Sequence, residues 1–300
     1  MKLERFVNSR FGVGVALFLG QVLPPALGVR FSQAVGNWIG SRRKMAQVRA
    51  VRANQWVVSG ESLTPEGLDQ ITRATFCSAA RNLYDYFHYF RDPKAIEKLV
   101  QFSPGFERCL EQLRSGGQGI LFVCPHLSNI DLIGRAAALH GLSMQILSYP
   151  QPPGSYRLQN LLRKMTGLDV TPMSYSALRQ AAERLKAGGA VLTGVDRPLP
   201  DSKYKPRFFN RPAALPVAYV RLALKTGLPV TVLVGCRRPD DTYYVWASDP
   251  IPMQPHPDLE TEVVRNAEAV LDVVTSYIRE VPEQWAMFYP VWSEALNEIS

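Results

Sequence analysis

From residue 119 onward the chain alternates short apolar runs with helical patterns, and this alternation narrows the possible folds more than any other feature. Buried strands are expected at 119–124, 144–149, 190–195, 229–236 and 242–247, with helices between them at 130–140, 156–166, 177–187 and 213–225. Strands alternating with helices build an α/β fold, here a central mainly parallel or mixed sheet flanked by helices, with the chemistry beyond the C-terminal ends of the strands. Upstream, Thr64-Pro65-Glu66 opens a helix expected over 64–90, and a second helix over 93–114 stops at Ser115-Gly116-Gly117. A last amphipathic helix at 258–279 precedes an aromatic tail at 282–292. The 300 residues are 46% hydrophobic, enough for one large core, and no repeat is visible. No Gly/Ser/Pro linker interrupts residues 61–300, which therefore read as one domain.

The first 60 residues differ from the rest in charge. They hold nine basic residues and the single acid Glu4, whereas the other 240 hold 25 of each sign. The net charge of +8 thus belongs to one end. Residues 11–29 form a 19-residue uncharged run, close to the roughly 20 residues of a spanning helix. Gly12, Gly14, Gly20, Gln21 and Pro24-Pro25 weaken it as a span, so insertion into the membrane surface fits equally well. With no small-x-small cleavage site and more apolar sequence following at 31–39, the segment is expected to be retained rather than cleaved. The basic stretch 41–52 then has the pattern of a helix attracted to anionic headgroups. Residues 1–60 accordingly read as a membrane-associating helical segment whose partner is an anionic membrane surface. Nucleic acid is excluded as the partner, because the stretch lacks interleaved aromatics and any recognisable binding module.

Four cysteines, Cys77, Cys109, Cys124 and Cys236, are too scattered for a disulfide framework and form no CxxC pair. No metal-ligand spacing occurs, and no Ser stands in a G-x-S-x-G elbow. The strongest chemical candidate is Pro125-His126-Leu127-Ser128-Asn129-Ile130-Asp131, directly after the first strand of the alternation. Histidine titrates near neutrality and can take a proton from a hydroxyl. Asp131 stands five residues on, which on a continuous helix is about 140° away, so the two meet only if His126 lies on the turn before the helix. Ser128-Asn129 supply cap residues for such a turn. Asp131 is then expected to hold one imidazole nitrogen and steady the imidazolium. The structural alternative is a loop histidine beside a surface aspartate.

The segment resembles the His-x4-Asp/Glu block of membrane glycerolipid acyltransferases, and further blocks follow in order. Thr193-Gly194-Val195-Asp196-Arg197 and Arg207-Phe208-Phe209-Asn210-Arg211-Pro212-Ala213-Ala214-Leu215-Pro216 resemble blocks of the bacterial lipid A biosynthesis acyltransferases, as does Pro282-Glu283-Gln284-Trp285-Ala286-Met287-Phe288-Tyr289. The likeness runs over about residues 5 to 293. It implies a glycerolipid acyltransferase-like fold at the cytoplasmic face of the inner membrane. The implied reaction moves a fatty acyl chain from a thioester of acyl carrier protein or coenzyme A to a lipid or glycolipid hydroxyl, with no cofactor. Two departures leave the acceptor open. Asp131 replaces the Glu usual in the lipid A enzymes, a choice shared with phosphatidylinositol mannoside and glycerol phosphate acyltransferases. Tyr289-Pro290-Val291-Trp292 replaces a basic stretch. A lysophospholipid, glycerol phosphate or mannosylated glycolipid acceptor is therefore an alternative, and a lipid-binding protein without turnover is a third.

On this reading His126 is the general base, Asp131 orients it, and amides at the start of the following helix stabilise the oxyanion. Asn129 either touches substrate or caps the helix. Asp196 and Arg197, at a strand end, either line the pocket or form a structural ion pair. Arg157, Arg163, Arg207 and Arg211 are candidates for binding phosphate through forked donors, Arg211 foremost. Cys124 is expected to point into the core rather than act as a nucleophile.

Overall fold

A computed structural model of the chain describes residues 18, 20–150, 163 and 168–299. Its centre is a seven-stranded sheet built from β1 (Val100–Phe102), β2 (Ile120–Cys124), β3 (Met144–Ser148), β4 (Asp169–Pro172), β5 (Ala190–Gly194), β8 (Val230–Arg237) and β9 (Tyr243–Ala247), in the order β1-β9-β8-β2-β5-β3-β4. Only the β8–β9 pair is antiparallel; the others run parallel. A separate two-stranded hairpin joins β6 (Arg207–Phe208) to β7 (Arg211–Pro212).

β2 is apolar at every position because both faces of the sheet are covered. Leu121 and Val123 enter one core, with α7 (Tyr175–Lys186), α8 (Ala218–Thr226) and α9 (Leu259–Glu280), while Ile120 and Phe122 enter the other. The second core is closed by α4 (Pro93–Leu99), α5 (Pro104–Arg114) and α6 (Ile130–Leu139). α6 follows β2 on one face and α8 follows β5 on the other, so the chain leaves the two adjacent strand ends in opposite directions. Such a divergence opens a crevice at the C-terminal edge of the sheet.

Several expected elements differ in detail. Residues 93–114 form two helices rather than one, because Asp92 and Ser103 each cap a new start ahead of a proline and Val100–Phe102 pair with β9 between them. The helix expected from residue 213 begins only at Ala218, after Pro212 and Pro216 have kept the chain extended. The helix expected at 156–166 lies, apart from residue 163, outside the described residues, as do residues 11–17 and 19 of the uncharged run.

At the N-terminal side, α1 (Pro25–Gly40) lies along α3 (Pro65–Tyr89). Its buried face is Gly28, Ser32, Gly36 and Gly40, a stripe of small residues four apart. A Cβ at Gly36 would come within 2.4 Å of the Cys77 Cα, so only glycine permits this approach. Large apolar side chains point the other way: Leu27, Phe31 and Trp38 are exposed. No helix among the described residues is long and apolar enough to cross a membrane. α2 (Ala46–Val58), grouped with the N-terminal segment by sequence, sends Ala53, Val57 and Val58 into the main core. Two cations of the basic stretch, Arg43 and Arg52, pair with Asp69 of α3.

Candidate active site

The parallel register of β2 on β5 sets Cys124 opposite Gly194. Two residues beyond each strand end stand His126 and Asp196, and their side chains meet. The Asp196 carboxylate accepts at one oxygen from the imidazole Nδ1 of His126 (2.7 Å), and at the other from the His126 backbone amide (2.7 Å) and the Trp285 indole Nε1–H (2.7 Å). Asp196 is wholly buried. Burial alone would push its carboxyl up, but the His126 charge and these three donors together hold it below the usual carboxylate range. An anion with this many donors is a fixed point of the site. Its bond to Nδ1–H leaves the imidazole Nε2 as the proton acceptor.

The tail positions this constellation. Leu127 and Trp285 form an antiparallel bridge, Ser128 N donates to the Gln284 carbonyl, and Ala286 N donates to the His126 carbonyl. The Gln284 side chain in turn accepts from Arg237 N and donates to the Arg237 carbonyl, tying the tail to the end of β8. Ser128 takes a left-handed φ of 57°, a turn that carries the chain from His126 into α6.

Asp131 is the main correction to the sequence reading. The carboxylate on the imidazole is Asp196, 70 residues away, while Asp131 lies in the first turn of α6 and binds Arg163 Nε at 2.5 Å. A near neighbour in sequence was expected in the place that strand pairing gives to a distant one. Asn129 caps α6, its Oδ1 accepting from Leu132 N and its Nδ2 donating to the buried Asn82 carbonyl. Both ends of that amide are engaged within the protein.

His126, Asp131, Arg163 and Arg197 border a cavity of about 750 Å³. Its wall is largely aliphatic, with Ile146, Leu168, Leu178 and Leu192 among the lining residues. Arg197 is sandwiched between the rings of Tyr149 (4.4 Å) and Tyr289 (4.3 Å). The cavity reaches Cys124, whose thiol is pushed up to about 12 chiefly by burial, with the nearby Asp196 charge adding to it. A thiol so protonated is no nucleophile at neutral pH.

Arg207 and Arg211 are elsewhere. Arg207 grips Glu268 of α9 through Nε and Nη2, each at 3.2 Å. Arg211 ties Glu61 to Glu298, with Nε 2.7 Å from Glu61 and Nη2 2.8 Å from Glu298. Neither borders the cavity. These two phosphate assignments are therefore replaced by structural ion pairs. Arg157 lies outside the described residues. Four other cations that no motif marked, Arg179, Lys203, Arg221 and Lys225, do border the cavity. Only the spacing of Arg221 and Lys225, one helical turn apart, could have hinted at a shared face. Among the described residues no group of three or more His, Cys, Asp or Glu side chains is arranged to hold a metal ion.

Comparison with known proteins places the chain among acyltransferases. A family model described as bacterial lipid A biosynthesis acyltransferase matches residues 3–294. Two phosphatidylinositol mannoside acyltransferases of Mycobacterium tuberculosis, from strains ATCC 25618 / H37Rv and CDC 1551 / Oshkosh, are each 24% identical over 194 residues. Each alignment covers 63% of this chain and 59% of the relative, so less than two thirds of those proteins is spanned.

Proposed function

We infer that this chain, which belongs to the bacterial lipid A biosynthesis acyltransferase family, moves a fatty acyl chain from an acyl thioester to a hydroxyl of a membrane lipid or glycolipid. The observation that carries this reading is the His126–Asp196 pair at the edge of an aliphatic cavity. Nε2 of His126 takes the proton of the acceptor hydroxyl as its oxygen attacks the thioester carbonyl carbon. Asp196 holds the ring in the required tautomer and balances the imidazolium that forms. The tetrahedral intermediate then expels the thiolate, which recovers the proton from Nε2. The positive end of α6 starts beside His126 and favours the oxyanion. Asp131 and Arg163 form part of the wall against which the substrates are placed, and Arg197 between its tyrosines supplies a second fixed cation.

The exposed Leu27, Phe31 and Trp38 of α1 fit a helix lying in the headgroup region of an anionic, cytoplasm-facing bilayer. Burial of each such side chain is worth about 1.5–3 kcal/mol, so replacing all three with Ser is expected to weaken binding to anionic vesicles by at least about a hundredfold. Vesicle flotation of the full chain measures this, and unchanged flotation refutes the assignment of that face.

The names of the mycobacterial relatives favour a mannosylated phosphoinositide as a second acceptor class. Purified protein is incubated with labelled acyl-coenzyme A or acyl-carrier protein and vesicles containing either lipid A precursors, lysophospholipid, or phosphatidylinositol mannosides. Mass spectrometry should find one acceptor gaining one acyl group by an ester. Label left on the thioester in every mixture sinks the transfer reading and leaves a lipid-binding role.

A further inference from the structure

The cavity beside His126 is bordered by six cations and, among the described residues, one carboxylate, Asp131. Two of those cations are occupied near the imidazole, Arg163 with Asp131 and Arg197 with Tyr149 and Tyr289. The other four are exposed and come from three segments: Arg179 from α7, Arg221 and Lys225 from one face of α8, and Lys203 from the loop after β5. α7 and α8 pack on each other, which brings the first three together. Arg179 also faces Glu183 on its own helix at 3.7 Å, an exposed i,i+4 pair of little strength, and the Lys203 ammonium rests 4.7 Å from the Tyr204 ring centre. Tyr175, at the start of α7, is 95% exposed beside them. An aliphatic cavity with a general base at one place and four solvent-facing cations at another suits a long apolar chain whose reacting carbonyl is followed by an anionic tail.

Resting on the acyl-transfer reading, we propose that Arg179, Lys203, Arg221 and Lys225 bind the phosphate of the acyl donor's pantetheine arm. With the acyl chain against the aliphatic wall and the thioester carbonyl at His126, the arm leads out of the cavity, and its phosphate is the first formal charge beyond the sulfur. That phosphate is common to coenzyme A and to acyl carrier protein, so the same four cations serve either carrier. A phosphate on the acceptor has the same chemistry, but the acceptor is held in the membrane. The apolar exposed face belongs to α1, which packs on α3, whereas the four cations stand on α7, α8 and the loop after β5. The cations therefore serve the substrate that arrives from water. Long-range attraction of an anion to exposed cations also makes donor capture sensitive to salt.

The test compares three donors with the same acyl chain, namely acyl-pantetheine, acyl-4′-phosphopantetheine and acyl-coenzyme A, on the full-length protein at saturating acceptor. Wild-type protein is expected to show a KM for the two phosphorylated donors on the order of tenfold below that for acyl-pantetheine, as a charge-assisted phosphate contact requires. Arg221→Gln combined with Lys225→Gln, and separately Arg179→Gln combined with Lys203→Gln, should shrink that ratio toward one. High salt should do the same to the wild-type protein. Equal KM values for all three donors in wild-type protein overturn the proposal while leaving acyl transfer intact. Variants that keep the donor ratio but raise the acceptor KM also overturn it, by assigning the cations to the acceptor's phosphate. Failure of wild-type protein to consume any of the three donors overturns the transfer reading and this proposal together. A thermal melt confirms that each variant is folded, and a single misfolded pair leaves the other pair to decide.

Discussion

The turns that end β2 and β5 and the β6–β7 hairpin both carry sequence blocks of the same family, yet they do different work. At the strand ends, parallel pairing fixes the backbone, and the next residues out, His126 and Asp196, meet at 2.7 Å beside the cavity. In the hairpin the charged residues face partners of the protein itself, Glu268 for Arg207 and Glu61 with Glu298 for Arg211. The hairpin's contribution is apolar. Phe208 stacks on Trp292 at 5.6 Å and meets the Trp285 ring edge-on at 6.0 Å, and Phe209 lies 6.2 Å from Trp285. Trp285 in turn donates to Asp196. One region thus holds the His126–Asp196 pair proposed to react, and the other holds the side chain that donates to Asp196. A shared motif marks a requirement of the fold as readily as a contact with substrate.

The strongest way to break this comparison is to remove the proposed base, His126. His126→Ala is expected to lower kcat by about two to four orders of magnitude, the range for general acid–base catalysis, with little change in the melting temperature. More than about a tenth of wild-type turnover from purified protein would eliminate His126 as the base. Asp196→Asn should fall in the same range, because an amide can support the wrong tautomer and cannot balance an imidazolium. Asp131→Asn should cost at least about tenfold less than Asp196→Asn, since Asp131 answers to Arg163 rather than to the ring. The double variant His126→Ala with Asp196→Asn should be little worse than His126→Ala alone, because the carboxylate has no imidazole left to assist. Equal losses from the two aspartate variants would return the orienting role to Asp131.

The sequence makes some levels of this structure legible and hides others, for physical reasons. The apolar runs of β2, β3, β5, β8 and β9 stand out because a sheet covered on both faces needs no polar alternation. β1, β4 and the hairpin strands are two to four residues long, too short to carry a period. His126 is legible as a histidine leaving a buried strand. Its partner is not, because the pairing of β2 with β5 is decided by the packing of the whole sheet, and Asp131 lies deceptively near in sequence. The arginines misled for a related reason: a guanidinium looks the same whether its fork meets a phosphate or a glutamate. Arg211 meets two glutamates, Glu61 from just after α2 and Glu298 from α10 (Ala295–Glu298), both distant in sequence.

Trp285→Phe sharpens the comparison by cutting the link between its two regions. Phenyl keeps most of the packing against Phe208 and Phe209 but gives Asp196 no donor. With one of its stabilising bonds gone, the Asp196 carboxyl should titrate closer to the ordinary carboxylate value. A carboxyl whose folded pKa is depressed stabilises the fold above its unfolded pKa, about 3.9, and that stabilisation disappears as pH falls through the lower folded value. The variant should therefore be less stable than wild type at pH 6 to 7, and the gap should narrow below about pH 4, leaving only the packing loss. Denaturant unfolding across this range measures it. Turnover should fall by roughly tenfold, the scale of one hydrogen bond to a charged group, and so by less than in Asp196→Asn. A gap that stays constant with pH would mean that the indole acts by packing alone.

The smallest expected effect is at Arg211, and it tests whether the hairpin has any direct dealing with substrate. If Arg211 bound a phosphate, Arg211→Lys would raise a KM, because an ammonium cannot reproduce the bidentate fork. The observed fork meets Glu298 with two nitrogens, reaches Glu61 with Nε, and lies 5.2 Å from the centre of the Trp56 ring. These are partly solvated pairs at the junction of the hairpin with the segment after α2 and with α10, where water and salt screen most of the attraction. Lysine keeps the charge and loses only the geometry. The substitution should thus leave donor and acceptor KM within about twofold of wild type and lower the melting temperature by only about 1–2 °C. Loss of the small stability difference at high salt would identify it as electrostatic. A KM raised several-fold at unchanged melting temperature would instead place Arg211 at the substrate and erase the distinction between the two regions.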